Sequence, residues 1–178
     1  GQIMPWDFSF YSEKLKEELF KFSGEELRPY FKLENVIEGV FEHARRLYDL
    51  EFRAADGEYP VYHPDVRIFE VYDATTKEFV ALFYADFFPR ESKTGGAWMT
   101  NYLEQGFFKG AVRRPHVAIV CNFTKPTSDK PSLLTHDEVL TLFHEFGHAL
   151  HSLLSKVHHR TLSGTNVYWD FVELPSQV

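Results

Sequence analysis

Thr135-His136-Asp137-Glu138 has the form of a capping box, in which a threonine hydroxyl and a glutamate carboxylate satisfy each other's free backbone amides at the start of a helix. Beyond it, Val139, Leu142, Phe143, Phe146, Ala149, Leu150 and Leu153 recur at helical spacing, so a helix is expected to about Ser155. The apolar stripe is wide, and a helix of that kind is buried on most of its surface. It therefore needs covering layers. With 178 residues, 44% hydrophobic and 17% aromatic, the chain is long enough for one domain with its own core.

Those layers can be read from the rest of the chain. Apolar positions fall at helical spacing through Asp7 to Phe22 and Leu33 to Leu50, with Ser23-Gly24 and Arg28-Pro29 as punctuation. From Glu51 to about Phe88 the pattern turns β-rich. Val66 to Tyr72 and Phe79 to Phe87 read as strands around a hairpin loop, Asp73 to Lys77. A turn at Thr94-Gly95-Gly96 follows, and a third strand, Val117 to Phe123, lies between Pro115 and Pro126. After the main helix comes a loop with Ser163-Gly164-Thr165, and Asn166 is expected to cap a further helix through Tyr168 to Val172. The expected class is α+β: N-terminal helices, a small mostly antiparallel sheet, the main helix and a second helix. Residues 1–178 read as one domain. Gly1 to Trp6 looks like the middle of a longer protein, and the chain stops at Val178 without a C-cap, so a fragment of a larger catalytic domain is expected.

Several function classes are excluded. The longest apolar runs, Phe79 to Phe88 and Val117 to Val120, fall far short of the roughly 20 residues that cross a bilayer, and Asp86 interrupts the first. The net charge is -7, and no cluster of five Lys and Arg offers a footprint for nucleic acid or an anionic membrane. Arg113-Arg114 is expected in a solvated loop, and Arg90 and Lys93 as surface charges. The single cysteine, Cys121, permits no internal disulfide, and no secretory leader is evident, which makes cytoplasm the default.

Five of the nine histidines fall between His144 and His159. On the main helix stands His144-Glu145-Phe146-Gly147-His148, an H-E-x-x-H motif. Residues i and i+4 share a face one turn apart, so both imidazoles can approach one tetrahedral ion. Glu145 is turned far enough round the helix to miss the ion and reach a water beside it. The alternative is that both are core histidines held by hydrogen bonds. His151, at i+7 from His144, lies too far along the axis to converge on the same ion and reads as a neighbour of the site. Asp170 and Glu173, the carboxylates after His148, lie three residues apart and share a helix face. Glu173 could be delivered to the metal by an antiparallel helix pair, leaving Asp170 to hold the second nitrogen of a ligating histidine. Otherwise both are solvent-facing acids. Two histidines and a glutamate leave a fourth position open, as in hydrolytic zinc centres. A structural zinc site would close all four positions, mainly with cysteine. A metal-free structural domain is the rival from another class.

His144 to His151, H-E-F-G-H-A-L-H, and Asp170 to Gln177, D-F-V-E-L-P-S-Q, resemble the zinc metallopeptidase family of thimet oligopeptidase, oligopeptidase A and bacterial peptidyl-dipeptidase. Pro5-Trp6-Asp7, Leu27 to Phe31, His63 to Arg67, Gly95 to Trp98 and Cys121-Asn122-Phe123 extend the likeness over nearly the whole chain. The resemblance implies one zinc per chain on His144, His148 and Glu173, Glu145 as the catalytic carboxylate, and short peptides as substrates of a monomeric enzyme. Leu162 to Val167 and Arg67 to Asp73 look more like peptidyl-dipeptidase, which releases C-terminal dipeptides, whereas Glu173-Leu174-Pro175 also looks like the endo-acting oligopeptidase form. The family's substrate-gripping tyrosines and histidine would lie beyond Val178, so an inactive metal-binding fragment is the alternative. Gly95, Gly96 and Ala97, with the strand Val117 to Phe123, could offer a sheet edge to an extended peptide.

Overall fold

A computed structural model describes residues 4–21 and 23–177. Helix α1 spans Phe8–Phe20 and ends where Lys21 turns left-handed; Phe22, at the end of the expected helix, lies outside the described residues, as do Gly1 to Ile3 and Val178. A 3-10 segment at Gly24–Tyr30 leads into α2, Leu33–Tyr48. Strands β1 (Leu50–Ala54), β2 (Arg67–Asp73) and β3 (Phe79–Asp86) form an antiparallel meander. At the expected hairpin loop, Asp73 Oδ1 accepts hydrogen bonds from the Thr75 and Thr76 amides at 3.0 and 2.7 Å, an Asx turn that shapes the bend.

Four further strands follow: β4 (Trp98–Leu103), the short hairpin β5 (Gly106–Phe108) and β6 (Ala111–Arg113), and β7 (His116–Val120). The main sheet has the order β1-β2-β3-β7-β4, antiparallel except between β3 and β7. The mixed α+β class stands. β7 is interior, however, so the expectation that Val117 to Phe123 offers a free edge is corrected: both sides of β7 are occupied, and the edge belongs to β4.

Helix α3, His136–Leu153, lies with α2 across one face of this sheet. Phe41, Phe52, Phe69, Phe83 and Phe146 pack between them with ring centroids 4.1 to 6.3 Å apart. Leu142, Phe146, Ala149 and Leu153 are the buried apolar residues of α3, and they fix its rotation. At 100° per residue, positions 144 and 148 lie nearly opposite Phe146, and so emerge away from the sheet.

Both ends of α3 are tied down. Glu138 Oε2 accepts from the Thr135 amide at 2.7 Å, and Thr135 Oγ1 from the Glu138 amide at 3.1 Å, which is the expected capping box. The other Glu138 oxygen accepts from the Thr124 amide at 3.1 Å, joining the cap to the chain after β7. At the far end Arg114 donates to the Leu153 and Ser155 carbonyls at 2.9 Å each and to Val80 O at 2.6 Å. The expectation of a solvated Arg113-Arg114 loop is thus corrected for Arg114, a half-buried cap on free helix carbonyls.

Arg90 and Lys93 are corrected as well. The Asp86 carboxylate is 1% exposed and accepts from Arg90, Lys93 and the Tyr62 hydroxyl; the Lys93 side chain is 2% exposed. Leaving buried Asp86 unpaired would be costly, which is why two cations follow it inward.

Candidate metal centre

His144 and His148 stand one turn apart on α3 with rings edge to face, 4.9 Å between centroids. Glu173 Oε2 lies 3.2 Å from Nε2 of each. These three side chains form the metal-competent cluster found among the described residues. Tetrahedral coordination at about 2.0 to 2.1 Å places ligand atoms roughly 3.3 to 3.4 Å apart, close to both observed separations. The donor set therefore fits one divalent ion. The remaining side of the cluster is open: Glu173 is exposed and His144 half-buried, while His148 is 9% exposed.

Glu173 arrives at the end of the expected short helix, not within it. Helix α4 is a single turn, Trp169–Val172, and Glu173 sits just past it, before a 3-10 turn at Pro175–Gln177. Asn166 does not cap α4. Its side chain donates to Glu104 Oε1 at 2.7 Å, holding the preceding loop to the chain after β4. Two glycines bring the returning chain against α3. A Cβ at Gly147 would stand 2.5 Å from Pro175 O and 2.6 Å from Ser176 Cα. A Cβ at Gly164 would meet the Ser152 side chain and backbone, and its φ of +52° also favours glycine. Ser176 Oγ lies 2.9 Å from Glu173 Oε2 and 2.7 Å from Glu173 O. This hydroxyl above all holds the Glu173 carboxyl below its ordinary range; burial pushes it up, and the two histidine rings add to the lowering.

Glu145 is 8% exposed, and with His144, Ala97, Ser176 and Gln177 it lines a cleft of about 570 Å³. Burial pushes its carboxyl up, while the two histidine rings pull it down; the net shift is upward. A buried carboxylate beside a metal-competent cluster can serve as a general base for water held there.

The remaining sequence candidates are placed variously. Ala97 lines the cleft at the entrance to edge strand β4, whereas Gly95 and Gly96 lie in the exposed turn before it. That turn is held by the Asn122 side-chain amide, which donates to Thr94 O at 2.9 Å and Gly96 O at 2.8 Å. Asp170 is exposed, and among the described residues no hydrogen bond joins it to a histidine; His148 Nδ1 is buried without a partner. His151 lies outside the ligand cluster, lining a second cleft of about 520 Å³ between α2 and α3, 6.1 Å from the Phe171 ring. Burial lowers its pKa. Nothing in the H-E-x-x-H motif marks Ser176 or Asn122. Gly147 did carry a signal, since glycine inside a helix costs about 1 kcal/mol against alanine and points to a close approach.

A family model described as Peptidase family M3 matches residues 1–178. The chain is 48% identical over 175 residues to a dipeptidyl carboxypeptidase of Escherichia coli, covering 98% of this chain and 25% of that protein. It is 45% identical to oligopeptidase A of the same bacterium, covering 99% of this chain and 26% of that protein. It is also 39% identical to a thimet-like oligopeptidase of Dictyostelium discoideum, over 97% of this chain and 26% of that protein. The chain thus spans about a quarter of the length of these curated relatives.

Proposed function

The chain belongs to peptidase family M3, and from that premise we propose that it forms the zinc-binding core of an enzyme that hydrolyses short peptides, releasing dipeptides from their C-termini. The observation that carries the reading is Glu173 Oε2 at 3.2 Å from both His144 and His148 Nε2, with Glu145 one residue round the helix beside the same cleft. His144, His148 and Glu173 would hold one zinc ion per chain. When bound, zinc supplies Lewis-acid activation of water and of the scissile carbonyl. Glu145 takes the proton of the attacking water and passes it to the leaving amine. Its burial favours this exchange, because a carboxyl raised above its ordinary range is the better proton acceptor.

Ala97 and edge strand β4 stand beside Glu145, and an extended peptide pairing with that edge would pass over the site. Gly95 and Gly96 would shape the approach through the turn. Dipeptide release is favoured by the 48% identity to the dipeptidyl carboxypeptidase, and endo-acting cleavage by the 45% identity to oligopeptidase A. The cytoplasm and a monomer are proposed as its setting; among the described residues no helix is long and apolar enough to cross a membrane, and the single cysteine is buried.

The test is Glu145→Gln in the purified enzyme, assayed on a short peptide with a free C-terminal carboxylate and on its C-terminal amide. Zinc retained with turnover down by about 10²- to 10⁴-fold is expected, together with dipeptide release from the free acid alone. Equal cleavage of both peptides would favour the endo-acting reading, and unchanged turnover in the variant would remove Glu145 from the chemistry.

A further inference from the structure

We propose that Ser176 is the positioning residue for the third metal ligand, its hydroxyl fixing Glu173 Oε2 in the orientation that converges with His144 and His148. The inference rests on the zinc reading of the site and deepens it. Glu173 lies on the surface just beyond a one-turn helix, and its side chain is 58% exposed. Nothing in that setting confines a long carboxylate to one rotamer. Yet the single oxygen Oε2 that stands 3.2 Å from each histidine Nε2 is also the oxygen 2.9 Å from Ser176 Oγ.

Ser176 can act as a fixed post because it is itself held. It is 8% exposed in the turn Pro175–Gln177, and its Cα would stand only 2.6 Å from a Cβ at Gly147. The hydroxyl is thereby seated against the same helix that carries both histidines, with Gly147 directly before His148. Oε2 offers two lone-pair directions. One taken by Ser176 leaves the other for an ion between the rings. The Ser176 proton has a competing acceptor, Glu173 O at 2.7 Å, which would make the residue a turn closure and nothing more. The experiment must separate these roles.

Zinc affinity of the purified protein is measured by chelator competition for the wild type, Ser176→Ala, Ser176→Thr and Glu173→Ala, with the melting temperature of each in the metal-free state. Positioning predicts about 10- to 100-fold weaker zinc binding in Ser176→Ala, recovery in Ser176→Thr, and a metal-free melting temperature near that of the wild type. Zinc affinity in Ser176→Ala within about twofold of the wild type, while Glu173→Ala is weakened, overturns the proposal and leaves the zinc site standing. A lower metal-free melting temperature with unchanged zinc affinity overturns it likewise and marks a turn closure. Unchanged affinity in Glu173→Ala removes the ligand assignment itself, and this inference with it.

Discussion

Replacing Gly147 by alanine sets two effects against each other on one helix. In an open helix interior the change stabilises by about 1 kcal/mol, because glycine has more backbone freedom to lose. Here the new Cβ would lie 2.5 Å from Pro175 O and 2.6 Å from Ser176 Cα, both backbone atoms that no rotamer change can move aside. Restoring an ordinary contact requires the returning chain to retreat by about 1 Å. Overpacking of that kind costs about 1 to 3 kcal/mol, so the net effect is a loss of about 0 to 2 kcal/mol. The metal site should suffer more. Glu173 is two residues from Pro175, and a retreat of about 1 Å is several times the roughly 0.2 Å within which ligand distances must hold. Zinc binding weaker by at least about tenfold is expected, read by chelator competition, with chemical denaturation of the metal-free protein as the stability assay. A variant stabilised by about 1 kcal/mol with undiminished zinc affinity would refute the close approach and the ligand geometry built on it.

Asp86→Asn leaves the buried Lys93 ammonium without its counter-charge and should destabilise by about 3 to 5 kcal/mol at neutral pH, seen in the melting temperature. Burial pushes the Asp86 carboxyl up, but hydrogen bonds from Arg90, Lys93 and Tyr62 outweigh it and hold the carboxyl below its ordinary range. Its stabilising effect is therefore present above about pH 4 and lost as the pH falls below that, so the gap between wild type and variant should close on acidification. Thr135→Ala removes a cap at the start of α3 and should cost about 1 kcal/mol in denaturant unfolding, with zinc affinity unchanged because His144 lies more than two turns away. Asn122→Ala frees the turn at Thr94 to Gly96 and should raise the KM for peptides more than it lowers kcat, with zinc content intact; equal KM values would detach the turn from substrate binding.

What the sequence disclosed was local, and what it hid was brought together from a distance. The cap, the extent of α3 and the phase of His144 and His148 depend on residues within a few turns, so spacing alone carried them. Of the misread charges, Arg114 depends on remote partners, whereas Arg90 and Lys93 pair with Asp86 four and seven residues back, whose burial comes from the packing of the sheet. Arg114 caps α3 through carbonyls 39 and 41 residues away, and Lys93 turns inward because Asp86 lies buried at the end of β3. Asn166 reads as a helix cap from its neighbours, yet its partner Glu104 is 62 residues back, and the helix it would have opened is one turn long. β4 escaped notice because its residues are mostly half-buried on both faces, so no apolar alternation betrays an edge strand. Glu173 could be identified by its type, but the contact of Ser176 with Gly147 that delivers it could not.

The most direct measurement is the zinc content of the purified protein after dialysis, for the wild type, His148→Ala, Glu173→Ala and Glu145→Gln. One zinc per chain in the wild type and in Glu145→Gln, with loss in both ligand variants, is the expected result. A folded wild type that retains no zinc, or a Glu173→Ala variant that retains it fully, would contradict the assignment of His144, His148 and Glu173 as one metal centre.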